Sequence, residues 1–247
     1  MQMLQGKTAL VTGAAGSLGL ATVQALAADG LKVVMADIDA DRLQSLAAEI
    51  GPMAVACVLD VSDPTAVETA IADIANDHGG VDVLVNNAGI LSNNKAAETS
   101  PEEWRRIMSI NLDGAFYLSR ACLPSMKEKG WGRIVNICSM AAKTGGLTAG
   151  TAYTTSKGGM EALTFSLARE SAGDGVTANG IAPAYINTPM VTEQLNEAQR
   201  QKLLSEIPVG RFCEPEEAAN VVSFLVSPLS GFITGEIIDI NGGLHLD

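Results

Sequence analysis

The chain has 247 residues, of which 47% are hydrophobic and 18% charged, a composition that fits one large globular domain or two small ones and excludes wholesale disorder. Its formal net charge of −12 repels phosphate backbones and anionic lipid, so neither nucleic acid nor a membrane is expected as a partner. Four scattered cysteines with no CxxC pair suggest free thiols in a reducing compartment, and His78 and His245 lack ligand neighbours, so no metal site is expected.

Lys7 precedes an apolar stretch ending in Ala25-Leu26-Ala27-Ala28, which loosely resembles a signal peptide. Gly13, Gly16 and Gly19 interrupt it, and the stretch is read as mature sequence. No apolar run approaches the roughly 18 residues of a membrane-spanning helix. A strand is predicted at 8–11, then a glycine-rich turn and a helix with Leu18, Thr22, Val23 and Leu26 on its apolar face. A second strand falls at 33–35, a helix at 41–50 and a third strand at 54–58. Pro64 suits the start of a helix bearing Val67, Ile71 and Ile74. A fourth strand covers 81–85 and ends at Asn86-Asn87. Ser100 and Glu103 have capping-box spacing, and the helix they open is predicted to run to about Lys129. A strand at 133–137, a long helix at 152–170, a strand at 176–181, a helix at 214–226 and a strand at 237–240 complete the pattern.

Several strands are continuously apolar, which implies a sheet covered on both faces, hence parallel strands with crossover helices. The expected fold is a single-domain, doubly wound α/β sheet with helices on both faces. Residues 1–130 would mainly bind a dinucleotide, and 131–247 would carry catalysis and substrate binding, with a lid at 189–212. Ligands in such folds bind at the carboxyl ends of the strands.

Thr12-Gly13-Ala14-Ala15-Gly16-Ser17-Leu18-Gly19 lies between the first strand and the first helix. Glycines there allow backbone to approach a pyrophosphate, and the helix N-terminus offers free N–H groups. Asp37 ends the second strand, where a carboxylate can accept bonds from both hydroxyls of the adenine-side ribose and repel a 2′-phosphate. Residue 38 is Ile, and 14–17 hold no Arg or Lys to offset that repulsion, so NAD is the expected cofactor.

Other landmarks are Asp60-Val61, Asn86-Asn87-Ala88-Gly89, Asn111, Ser139, Tyr153-Thr154-Thr155-Ser156-Lys157 and Pro183-Ala184-Tyr185-Ile186-Asn187-Thr188. In this order and spacing the chain resembles the short-chain dehydrogenase/reductase family, in its common form of about 250 residues with a Rossmann fold. The resemblance implies that Asp60 and Val61 contact adenine, that Asn87, Ala88 and Gly89 pass beside its ribose, and that Pro183, Ile186 and Thr188 border the nicotinamide. Gly13, Ser17, Leu18 and Gly19 would hold the pyrophosphate, Ser139 the substrate oxygen, and Lys157 the nicotinamide ribose. Asn111 would support a water linking Lys157 to solvent. Ser17 and Ala184 replace glycines of the usual pattern. The family also implies a homotetramer, and the reducing setting a cytoplasmic protein.

Tyr153 and Lys157 are four residues apart and share one helix face. A neighbouring ammonium is expected to lower the phenol's pKa, so that tyrosine exchanges a proton with substrate as hydride moves. The expected activity is NAD-linked oxidation of a secondary alcohol, a polyol, sugar derivative or hydroxy acid, with the reverse reduction. The alternative is a 3-oxoacyl-(acyl carrier protein) reductase, suggested by Pro208-Val209-Gly210-Arg211-Phe212. Asp37, and Asp174 where that branch commonly carries a basic residue facing its acidic carrier, argue against it. A non-catalytic nucleotide-binding sensor is a further alternative. The segments 90–96, 140–150 and 189–212 are expected to border the substrate. Asn93, Lys95 and Lys143 are read as solvated surface residues.

Overall fold

Continuously apolar strands need cover on both faces, and the computed structural model, which describes residues 4–188 and 196–246, supplies it. Seven strands form one sheet: β1 (Thr8–Thr12), β2 (Lys32–Asp37), β3 (Ala54–Val58), β4 (Val83–Asn86), β5 (Gly132–Ile137), β6 (Val176–Pro183) and β7 (Ile237–Ile240). Their order is β3-β2-β1-β4-β5-β6-β7, and every pairing is parallel. The order reverses between β1 and β4, which opens the crevice where doubly wound folds bind ligands.

Nine α-helices are seen among the described residues: α1 (Ser17–Ala28), α2 (Ala40–Ile50), α3 (Pro64–His78), α4 (Pro101–Met108), α5 (Gly114–Glu128), α6 (Met140–Thr144), α7 (Thr151–Ser171), α8 (Glu197–Glu206) and α9 (Pro215–Val226). One face of the sheet is covered by α1, α2 and α9, through Val23, Leu26, Leu43, Val222 and Leu225. The other is covered by α3, α5 and α7, through Val67, Ile74, Leu118, Met126 and Leu167. The β4-to-β5 and β5-to-β6 crossovers use α5 and α7. The β6-to-β7 crossover advances in the same direction over the opposite face, so its hand is reversed relative to theirs. It lays α9 against α1.

The elements expected from sequence match the described ones closely. The differences are a single predicted helix after Ser100 and the unpredicted α6 and α8. After Met108 the chain makes a π-helical turn, Ser109–Asp113, before continuing as α5. Such turns insert an extra residue and often mark functional sites. Asp39 caps α2 as expected, accepting from the Arg42 N–H at 3.2 Å. Ser100 caps α4, but the Glu103 carboxylate turns away from the cap and reaches Ser92 and Asn94. The expected lid falls partly outside the described residues, at 189–195. Its other end packs on itself, with Leu203, Ile207 and Phe212 in a separate buried cluster.

Gly175 shows where backbone freedom is required. It has φ +76°, and a Cβ there would stand 2.2 Å from the Gly130 carbonyl oxygen. Gly175→Ala should therefore cost about 1–3 kcal/mol. Urea unfolding checks this: the midpoint should fall with little change in slope, and an unmoved midpoint would show that the turn relaxes freely.

Candidate active site

The carboxyl ends of β1, β4, β5 and β6 open onto a cleft of about 510 Å³. Its floor at one end is the β1–α1 loop. Gly13 has φ +62°, and a Cβ on it would lie 2.9 Å from Ala88 Cα. A Cβ on Gly19 would lie 2.1 Å from the Gly13 carbonyl oxygen. Only glycine fits either place. Gly16, the N-cap of α1, brings no side chain to the first-turn N–H groups, which leaves them for an anion. Asn87 fastens this loop to β4, its Nδ2 donating to the Thr12 and Gly13 carbonyls at 2.8 and 3.1 Å. The backbone N–H groups of Asn87 and Ala88 both donate to Thr12 Oγ1 at 3.0 Å.

Asp37 lies at the far end of this half of the cleft. Its Oδ2 accepts from the Ala15 N–H at 3.0 Å and its Oδ1 from the Asp39 N–H at 3.1 Å. These bonds fix the carboxylate and leave lone pairs for ribose hydroxyls. Arg42 also lines the cleft here, a cation that the loop sequence did not disclose. A glycine cradle, an open helix N-terminus and a fixed terminal carboxylate fit a nicotinamide dinucleotide.

The other half carries the proton-handling groups. Ser139 follows β5 and caps α6, its Oγ accepting from the Ala141 N–H at 3.2 Å. Tyr153 is in the first turn of α7, and Lys157 is one turn on. Lys157 is buried, and its Nζ donates to the Ile137 carbonyl at 2.6 Å and lies 5.8 Å from the Tyr153 ring centre. Burial pushes this ammonium down to about 8. The expected lowering of the Tyr153 pKa is not met. Burial raises it and outweighs the hydrogen bond with Ser139, which acts the other way. The phenol is therefore held protonated, the form that donates to a carbonyl oxygen.

Asn111 sits in the π-turn and is fully buried. Its Oδ1 accepts from the Ile90 N–H at 2.8 Å, and its Nδ2 donates to the Ile90 carbonyl at 3.0 Å and to Ser156 Oγ at 3.1 Å. It thus ties the turn after β4 to α7. Ser156, in turn, donates to the Tyr153 carbonyl at 2.7 Å. Sequence reasoning assigns Ser156 no role, although it lies between Tyr153 and Lys157.

Of the expected site residues, Gly13, Ser17, Leu18, Gly19, Asp37, Asn87, Gly89, Ser139, Tyr153, Lys157, Pro183, Ile186 and Thr188 line this one cleft. Asp60, Val61, Ala88 and Asn111 are not among its lining residues: Asp60 is exposed, Ala88 half-buried, and Val61 and Asn111 are buried. Asp60 Oδ1 accepts from the Ser62 N–H and hydroxyl at 2.9 and 2.7 Å, and Val61 is buried beneath Gly114. Lys95 and Lys143 are not simply solvated. Lys143 reaches Asp239 Oδ2 at 2.8 Å, and Lys95 donates to two backbone carbonyls.

A family model described as enoyl-(acyl carrier protein) reductase matches residues 13–245. The chain belongs to the short-chain dehydrogenase/reductase family. It is 41% identical to a 3-oxoacyl-(acyl-carrier-protein) reductase FabG of Vibrio cholerae, over 98% of this chain and 99% of that relative. It is 40% identical to the Haemophilus influenzae protein of the same name, over 98% of this chain and 100% of that one. The fold is similar to the crystal structure of a short-chain dehydrogenase/reductase from Brucella melitensis named as a glucose/ribitol dehydrogenase. The TM-score is 0.93 at 36% identity, covering 99% of this chain and 98% of that one. The chain is thus an oxidoreductase of this family that binds a nicotinamide dinucleotide. The names of the full-length relatives back the 3-oxoacyl reductase alternative better than the polyol reading.

Tyr153→Phe should reduce turnover at least about a thousandfold while leaving cofactor affinity unchanged, because it removes only the phenolic hydroxyl that carries the proton. Stopped-flow turnover and cofactor fluorescence test this, and substantial residual activity would remove Tyr153 from its role. With Lys157 near 8 and required as a cation, kcat/KM for ketone reduction should be flat below about pH 8 and fall above it. A pH–rate profile rising through that range in the reductive direction would contradict the assignment.

Proposed function

We propose that the chain reduces a 3-oxoacyl thioester to the 3-hydroxyacyl thioester with NADH, and oxidises the product in reverse. The observation that carries this reading is the substrate half of the cleft. Its lining includes the apolar Ile90, Leu91, Met140, Leu147 and Leu244, beside the polar Asn93, Thr144, Thr148 and Tyr185. The apolar side chains offer an acyl chain a surface to pack against without needing polar partners. The names of the relatives support the same substrate class.

When bound, a reduced nicotinamide supplies the hydride to the carbonyl carbon. Tyr153 donates its phenolic proton to the carbonyl oxygen as the C–O π bond breaks, and Ser139 holds that oxygen by a hydrogen bond. The Lys157 ammonium stabilises the phenolate left behind, and its position one turn below Tyr153 suits it to hold the nicotinamide ribose. Pro183, Ile186 and Thr188 border the end of the cleft where the nicotinamide would lie.

Asp37, whose fixed carboxylate would face a 2′-phosphate, supports NADH rather than NADPH, against the opposing charge of Arg42 at the same end of the cleft. Asp174 pairs with Lys127 at 3.1 Å, so the cation at that edge is already neutralised and offers little to an acidic carrier protein. The pantetheine thioester is thus taken to be free rather than carrier-borne. A sugar or polyol dehydrogenase is a second reading, favoured by the name of the Brucella melitensis protein.

A homotetramer is part of the proposal. Phe116 and Phe165 on α5 and α7 form one set of exposed aromatic residues, and Phe224, Leu229 and Phe232 on and after α9 another set of exposed apolar ones. Two separate apolar surfaces are what a tetramer of paired dimers needs. Four free cysteines suit a reducing, cytoplasmic setting, and among the described residues no helix is long and apolar enough to cross a membrane.

The test is a panel of 3-oxobutanoyl coenzyme A, its carrier-protein thioester and D-ribitol, each with both cofactors. The free thioester with NADH should give the highest kcat/KM. A faster ribitol reaction would establish the second reading, and a preference for NADPH would overturn the Asp37 argument. Asp37→Asn should raise kcat/KM for NADPH by about tenfold or more, since a full charge is removed beside the phosphate.

A further inference from the structure

The α6-to-α7 connection, residues 145–150, walls the substrate half of the cleft with Leu147, Thr148 and Ala149. Residues 145–149 belong to no helix or strand, and Gly145 and Gly146 both have positive φ, +72° and +76°. Such a segment is intrinsically loose. It also leads directly into α7, whose N-cap Gly150 provides no side chain to cap the first-turn N–H groups. The helix that carries Tyr153 therefore depends on another segment for its seating.

That segment is the β4–α4 loop. The Gly150 N–H donates to the Ser92 carbonyl at 2.6 Å, and the Thr151 N–H to the Asn94 carbonyl at 3.0 Å. The approach is close: a Cβ on Gly150 would stand 2.4 Å from the Asn94 carbonyl oxygen. Two charged side chains fix the arrangement. Glu103 reaches back from α4 to the Ser92 hydroxyl and to Asn94 Nδ2 at 2.9 Å, and these bonds lower its pKa. Lys95 Nζ donates to the Gly146 and Ala149 carbonyls, both at 2.7 Å, bridging the two ends of the cleft wall. Bonds from an ammonium to two convergent carbonyls are charge-assisted and stronger than neutral ones.

We infer that Lys95 is a positioning residue for substrate recognition: by clasping the carbonyls of Gly146 and Ala149 it holds the wall formed by Leu147 and Thr148 closed over the substrate. It acts through the loop and touches neither cofactor nor reacting atoms. The inference rests on the reductase reading above and names the residue that sets its substrate affinity.

Lys95→Met and Lys95→Arg, assayed with NADH and 3-oxobutanoyl coenzyme A, test it alongside hydrogen exchange of the peptide covering 145–152. In Lys95→Met the KM for the thioester should rise about tenfold, with kcat within about twofold and NADH affinity unchanged. Exchange in 145–152 should quicken, and Lys95→Arg should restore both. An unchanged KM, or unchanged exchange, overturns the inference. So does a joint fall in kcat, thioester affinity and NADH affinity, which would mean that Lys95 merely supports the fold. If the wild-type chain turns over no ketone, the reductase reading has failed, and exchange in 145–152 still decides whether Lys95 holds the wall.

Discussion

The site is organised around a buried ammonium that, among the described residues, makes no ion pair with a carboxylate. Lys157 has lost most of its water, and its charge is met by a hydrogen bond to the Ile137 carbonyl. A cation so placed carries a desolvation cost, visible in its lowered pKa, that structural contacts alone do not repay. It also projects positive charge into the part of the cleft where a tyrosine must give up its proton. The rest of the fold can be read as what holds that arrangement. β5 presents the carbonyl, α7 presents Lys157 and Tyr153 on one face, and the π-turn seats Asn111 against Ser156 beneath them.

Because burial raises the Tyr153 pKa and lowers that of Lys157 only to about 8, the two groups are both in their protonated forms at neutral pH. This state is ready for ketone reduction. Oxidation needs the phenolate, which the cationic charge of an oxidised nicotinamide would favour. The redox state of a bound cofactor would thus bias the direction through electrostatics.

The sheet and its major helices are legible in the sequence because long apolar runs and strong periodicity leave little choice of structure. β3 and β7 fall where expected to the residue. The glycine loop, Asp37, Ser139, Tyr153 and Lys157 are legible because each belongs to a spaced motif tied to a turn or a strand end. What sequence does not disclose depends on tertiary geometry. α6 is five residues long, and α8 has little apolar face beyond Leu203 and Leu204. A π-turn adds one residue to a helix whose periodicity otherwise continues. Glu103 has the spacing of half a capping box, yet its carboxylate serves a loop that only the fold brings near. Lys95 resembles solvated surface for the same reason. The sign of the Tyr153 shift differs from expectation because burial cannot be weighed from spacing.

The transfer of hydride and proton to a ketone should take place in this one cleft, the proton coming from Tyr153. Its most direct measurement is single-turnover stopped flow, mixing the NADH complex with 3-oxobutanoyl coenzyme A, using protiated and C4-deuterated NADH in water and in deuterium oxide. Loss of NADH absorbance should be slowed by either deuteration alone, and the solvent effect should disappear with the activity in Tyr153→Phe. NADH oxidation that is insensitive to both substitutions, or that survives in Tyr153→Phe with its solvent effect intact, would contradict that assignment.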